Sequence, residues 1–235
     1  MTLSDAARRI AGQAKPVLCL DTCVYLDVLN RAFSGQQVLA EIARYENLFA
    51  QGAFHAVIPA VVADEFARNV DAVTDRAKKE IRDAVGKWTG LRPVMHTATG
   101  NAHIAQMDQP TAEAAVDYLK NKSNTLLGLA LPIEPDTGIH ASASRRECAG
   151  RRPAQRGKNS NGDCLICETM LALATALRNN GIVQNVIFVS TNINDFGDDR
   201  PGMHGRIHPD LVPEFTALGI QYEPVLAATL WRSFP

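Results

Sequence analysis

An α/β fold with a mostly parallel sheet follows from three features of this 235-residue sequence. Short apolar runs of strand length recur at Val17–Leu20, His55–Ile58, Asn185–Ser190 and Ile220–Glu223. Stretches with apolar residues at steps of three and four lie between them, the pattern of helices that cover a sheet. The first and third runs lead into Asp21-Thr22 and Ser190-Thr191, polar groups at the edge where parallel sheets collect ligands.

The elements follow in order. After Asp21, Val24 to Phe33 reads as helical and Ser34-Gly35 breaks it. A second helix places Val38, Ile42, Tyr45 and Phe49 on one face and ends at Gln51-Gly52. His55–Ile58 is a short strand stopped by Pro59, and from Ala60 a long amphipathic helix carries the stripe Val62, Phe66, Val70, Val73, Ala77, Ile81, Val85, Trp88. From Leu91 to Gly162 the pattern loosens. A modest helix is expected over Thr111 to Asn121, and Leu126 to Leu131 is apolar but ambiguous. Pro132 to Gly162, rich in Gly, Ser, Pro, Asn and Arg, reads as a long loop. Asp163 then opens an apolar helix that ends at Asn179-Asn180-Gly181. The strand Asn185–Ser190 follows, then Ile220–Glu223 and a tail helix from Val225 to Trp231.

Composition bounds the function. The chain is 46% hydrophobic and 21% charged with a net charge of -1, which excludes a generally basic nucleic-acid coat but not a local patch. No apolar run approaches a membrane span and the first fifteen residues lack the apolar core of a secretory signal, so a cytoplasmic location is expected. Five cysteines in such a chain are expected to be free thiols. Cys164 and Cys167 have zinc-like spacing, but they fall in an apolar helical pattern with no second pair, and read as small core residues.

Four acids carry the chemistry. Asp21 follows the first strand, Glu65 sits early in the helix after the second, Asp163 heads a helix, and Asp195 follows the late strand with Asn192. Each has a bland reading: Asp21 and Asp163 as helix caps, Glu65 as a first-turn acid, Asp195 as the close of an Asx-turn. Together they fall at one edge of one parallel sheet, because strand C-termini and helix N-termini meet there. Carboxylates crowded at one edge repel, and a divalent cation relieves them; oxygen ligands select magnesium or manganese over zinc.

In this arrangement the chain resembles the PIN domain, a nuclease fold found in toxin-type and RNA-processing ribonucleases. The carriers are an apolar strand into Asp21-Thr22, the early-helix Glu65, Gly162-Asp163 before Leu165-Ile166, and the strand into Ser190-Thr191-Asn192-Ile193-Asn194-Asp195-Phe196. Arg151-Arg152-Pro153 and Lys158 before Gly162 resemble the larger branch with a basic loop ahead of Gly-Asp. The resemblance covers residues 17 to about 90 and 150 to 200. It implies a PIN-like three-layer sandwich over residues 1–235, a single nuclease domain with an insertion at about 91–162. By position it implies Asp21, Glu65, Asp163 and Asp195 as catalytic, metal-binding acids. Asn192 joins as a weaker neutral ligand, Thr22 and Ser190 orient the carboxylates, and Glu168 is an extra candidate ligand. Arg151, Arg152, Arg156 and Lys158 would hold flanking phosphates.

The implied function is a divalent-metal-dependent endoribonuclease using Mg2+ or Mn2+, with RNA as partner. For a toxin-type member an antitoxin or other protein inhibitor is implied, and a homodimer is admitted; no membrane is expected. Two rivals stand beside it. One is an inactive PIN-like scaffold that binds RNA or protein. The other is an aspartate-nucleophile phosphatase using Asp21, which would need an acid where Cys23 stands.

Overall fold

The computed structural model describes residues 1–13, 15–100, 108–155, 159–198, 200–203 and 205–234. Among the described residues five strands form one sheet: β1 (Val17–Leu20), β2 (His55–Pro59), β3 (Leu131–Ile133), β4 (Val186–Val189) and β5 (Ile220–Glu223). Their spatial order is β3-β2-β1-β4-β5 and every pairing is parallel. Chain order runs outward from β1 to β2 and β3 on one side, and to β4 and β5 on the other. The strand order therefore reverses between β1 and β4, the position at which such sheets open a crevice at their carboxyl ends. In register, Leu20 lies opposite Val189, so Asp21 and Ser190 emerge side by side at that crevice.

All four residues of β1 and of β4 are buried, as a strand covered on both faces requires. Helices supply the cover. They are α1 (Leu3–Ala11), α2 (Thr22–Asn30), α3 (Gly35–Ala50), α4 (Ala60–Thr99), α5 (Gln109–Leu129), α6 (Thr137–Cys148), α7 (Asn161–Asn179), α8 (Val212–Leu218) and α9 (Leu226–Arg232). The result is the α/β sandwich that the strand and helix pattern predicts. Among the described residues no helix is long and apolar enough to cross a membrane.

Helix α4 has 40 residues and so extends about 60 Å. Its buried face is Val62, Phe66, Val70, Thr74, Ala77 and Val85. Thr74 takes the place expected for Val73, which is only half-buried. The hydroxyl of Thr74 is satisfied by the Val70 carbonyl at 2.7 Å, so the buried stripe tolerates it. Beyond Val85 the helix leaves the core, and Leu91 and Val94 are exposed.

Four elements were not expected from the sequence. Helix α1, capped by the Thr2 hydroxyl on the Asp5 amide, buries Ala6, Ala7 and Ile10. Strand β3 extends the sheet edge, and α8 buries only Phe215. Most consequential is α6, which replaces the first half of the long loop expected over Pro132 to Gly162. Asp136 caps it through the Ile139 amide at 2.9 Å, and its inward face is Ile139, Ala143 and Arg146. An arginine in a core position hides the helical periodicity from any reading that counts apolar residues.

Candidate active site at the carboxyl edge of the sheet

Asp21 is the N-cap of α2, and its carboxylate is sealed at 3% exposure. Its Oδ1 accepts from the Thr22 amide at 2.7 Å. Oδ2 accepts from the Ser190 hydroxyl at 2.6 Å and the Cys23 thiol at 3.0 Å. The capping role is therefore real, yet all three donors are neutral. Burial raises the pKa of Asp21, the three hydrogen bonds oppose that rise, and the negative charge of Asp195 adds to it.

Glu65 lies in the second turn of α4 and reaches the same rim. Its Oε2 accepts from the Thr22 hydroxyl at 2.8 Å, so one residue ties Asp21 and Glu65 together. Burial raises the pKa of Glu65, the Thr22 bond opposes it, and repulsion from Asp21 raises it further. The start of α7 closes in from the other side. A Cβ on Gly162 would overlap Glu65 Oε1, so only glycine lets this carboxylate approach the N-terminus of α7, where the helix dipole favours negative charge. Asp163 is next in the chain, in the first turn of that helix. The glycine of the Gly-Asp pair thus has a physical reason: it makes room for the Glu65 carboxylate.

Asp195 hangs from the loop after β4. Phe196 anchors that loop, fully buried, with its ring edge-on to Phe188 at a centroid distance of 4.9 Å. Asp195 Oδ2 accepts from the Asn192 amide at 2.7 Å, and Oδ1 accepts from the Gln155 amide. Ser190 completes the chain of contacts: its hydroxyl accepts from the Asn192 backbone amide at 3.1 Å while donating to Asp21. Tyr222 on β5 braces the turn by donating to the Ser190 carbonyl at 3.1 Å.

Three of the predicted acids, Asp21, Glu65 and Asp195, are thus linked along one rim. Asp21 joins Glu65 through Thr22, and joins Asp195 through Ser190 and Asn192. They do not close into a ready-made shell: among the described residues, no three His, Cys, Asp or Glu side chains come together closely enough to hold one ion. Neutral donors occupy the oxygens instead. The donor set still fits a hard cation, since it is all oxygen and carries buried negative charge that no arginine or lysine among the described residues pairs within ion-pair distance at Asp21, Glu65 or Asp195. Zinc has no such fit. Cys164 and Cys167 are buried in α7, and burial pushes both thiols up to about 12, against the thiolate that zinc needs.

Other expected positions lie elsewhere or do other work. Glu168 does not join the rim: the buried Arg146 holds its Oε1 at 2.5 Å. Arg146 also donates to Glu214 at 2.8 Å and to the Arg152 carbonyl at 2.7 Å. Asn192 spends its amide on Asp195. Arg151 pairs with Glu214 at 3.0 Å, whereas Arg152 reaches the Asn194 carbonyl at 2.5 Å, beside Asp195. Arg156 and Lys158 lie outside the described residues. Sequence reasoning missed Cys23 and Gln155. The thiol was legible as the residue two after Asp21, facing back across the first turn of α2. Nothing in the sequence marks Gln155, which meets Asp195 from 40 positions away.

A family model described as PIN domain matches residues 18–196. No curated protein and no solved structure matches the chain.

Proposed function

This chain belongs to the PIN-domain family, whose members are in general nucleases, and from that premise we propose that it is a divalent-metal-dependent endoribonuclease. The observation that carries the reading is the buried carboxylate of Asp21, held by neutral donors alone between Glu65 and Asp195. In this reading Asp21, Glu65, Asp163 and Asp195, with Asn192, hold Mg2+ or Mn2+. When bound, such an ion lowers the pKa of water and offsets charge developing on phosphate.

The rest is the work of the chain itself. Ser190 and Thr22 fix the orientations of Asp21 and Glu65 through their hydroxyls. Arg152, at the loop that carries Asp195, places a cation beside the rim to neutralise a flanking phosphate, and the reading counts Arg151, Arg156 and Lys158 as further phosphate contacts. Water forms the new bond to phosphorus as the bond to the ribose 3′ oxygen breaks in line, leaving a 5′-phosphate and a 3′-hydroxyl. The 2′-hydroxyl takes no part, so RNA with a single 2′-deoxy sugar at the cleaved linkage is still cut.

The decisive experiment is cleavage of single-stranded RNA with Mg2+ or Mn2+ by wild type, Asp21→Asn and Asp163→Asn. Each substitution is expected to lower the rate by about 10³-fold; unchanged rates would end this reading. A toxin-type role adds two expectations: growth arrest on expression, relieved by Asp21→Asn, and a cognate inhibitor protein encoded beside it.

A second reading, a PIN-like scaffold that binds RNA or protein without cutting, is favoured by one observation, that no three ligating side chains among the described residues are drawn together on one ion. Manganese titration by calorimetry separates the two. The nuclease binds the ion and loses it on Asp21→Asn; the scaffold shows no binding that depends on Asp21.

A further inference from the structure

A cavity of about 580 Å³ opens beside the carboxylate rim, of a size that suits a small organic ligand. Two lining residues fix its address. Val24 follows Cys23 in α2 and Thr191 follows Ser190 after β4. Cys23 and Ser190 are the two side chains that donate to Asp21 Oδ2. The far wall is Pro224 to Leu226, just past β5, and Trp231 of α9. The cavity therefore lies along the carboxyl ends of β4 and β5, adjoining the site at the end of β1.

Its lining selects the ligand. Val28, Ile42 and Leu126 make an apolar floor. Arg31 and Glu41 at the mouth neutralise each other through two hydrogen bonds of 2.9 and 2.5 Å. That leaves Asp27, which also accepts from the Asn30 amide at 3.2 Å, with Gln37 and Thr191 as polar groups for a ligand edge. Trp231 is 62% exposed, and the Arg44 guanidinium lies over its ring at 4.8 Å from the centroid. An indole backed by a cation and otherwise open to solvent is preset to stack on a flat ring. A lipid chain would want an apolar mouth, and a sugar, whose C–H face can also lie on an indole, would find too few polar groups in this lining to meet its ring of hydroxyls. Flat, apolar on its faces and polar at its edge describes a heterocyclic base.

The geometry points to a subsite for one unstacked nucleobase, that of the nucleotide next to the scissile phosphate, with Trp231 as the stacking face and Asp27 accepting from base N–H groups. This inference rests on the nuclease reading for its substrate, but the pocket is separate from the acids. It implies that the substrate is single-stranded at the cut, because a paired base cannot leave its stack to enter.

The test uses the full chain. Two tryptophans are present, so Trp88→Phe leaves Trp231 as the sole tryptophan, read by excitation at the red edge where the tyrosines do not absorb. Nucleoside 5′-monophosphates are expected to quench it saturably and ribose 5-phosphate is not; Ala227→Phe, which fills the cavity, abolishes the quench, and Asp21→Asn leaves it intact. In single-stranded RNA cleavage, Trp231→Ala, an exposed substitution, raises KM about tenfold while kcat stays within about twofold, and Trp231→Phe recovers most of the loss. No saturable quenching, or cleavage by Trp231→Ala with wild-type KM, overturns the subsite while leaving the nuclease standing. Saturable quenching without cleavage sustains the subsite and removes the nuclease.

Discussion

Arg146 and Asp21 are each 3% exposed, yet their charges are met in opposite ways. Arg146 gathers Glu168, Glu214 and the Arg152 carbonyl, and binds α6, α7 and α8 together. Asp21 gathers an amide, a hydroxyl and a thiol, none of which carries charge. A buried charge that finds its counter-charge within the chain serves the fold. One that is left with neutral donors, with two further acids drawn toward it, holds negative potential that an incoming cation can use.

The contrast can be broken most directly at Arg146. Arg146→Met strands Glu168, leaves Glu214 with Arg151 alone, and is expected to cost about 3 kcal/mol in urea denaturation; a loss below about 1 kcal/mol would show that the arginine is not the structural member of the comparison.

Gly162 sharpens it from the other side. Gly162→Ala pushes the Glu65 carboxylate from the start of α7. Cleavage is expected to fall between about 10- and 100-fold, with the melting temperature kept or slightly raised, since alanine is the better helix residue. Parallel loss of activity and stability would mean that the close approach serves folding.

A smaller effect is expected at Gln155. Gln155→Ala frees one oxygen of Asp195 and should lower cleavage by about tenfold, at a stability cost of about 1 kcal/mol. Manganese affinity by calorimetry is the sensitive readout here, and wild-type affinity would remove Gln155 from the site.

The smallest expected change has the opposite sign from Arg146→Met. Burial raises the folded-state pKa of Asp21 and of Glu65, with repulsion from Asp195 adding to the first and from Asp21 to the second, so folding favours their protonated forms. Their stabilising contribution is complete below the ordinary carboxylate pKa and is lost as pH rises through the raised folded-state values. Without added metal, Asp21→Asn should therefore melt above wild type at neutral pH, with the difference closing on acidification. Added Mn2+ should stabilise wild type and leave Asp21→Asn unchanged. Melting curves across pH decide it, and a variant less stable than wild type at neutral pH would make the cap of α2 the dominant role of Asp21.

Much of this was legible in the residues. Strands β1, β2, β4 and β5 announced themselves as short apolar runs, and α3, α4 and α7 by their periodic faces. That Asp21, Glu65 and Asp195 meet along one rim was readable because parallel connectivity sends strand ends and helix starts to one edge, whatever their distance along the chain. Helix α6 was not legible, because Arg146 occupies a place where the pattern requires an apolar residue. Glu168 stood on a readable helix, yet its partner comes from 22 positions away.

Local periodicity and the direction of parallel strands are enough to set the α/β class, the edge at which the polar groups collect and the order of the carboxylates. Only the tertiary structure decided which charges are balanced: Glu168 against Arg146, Arg151 against Glu214, and Asp21 against neutral donors alone. It alone decided that Gly162 stands against Glu65, and that Trp231 shares a cavity with Thr191. Charge balance and close approach are set by packing between distant segments, and no local pattern of residues encodes the distance between them.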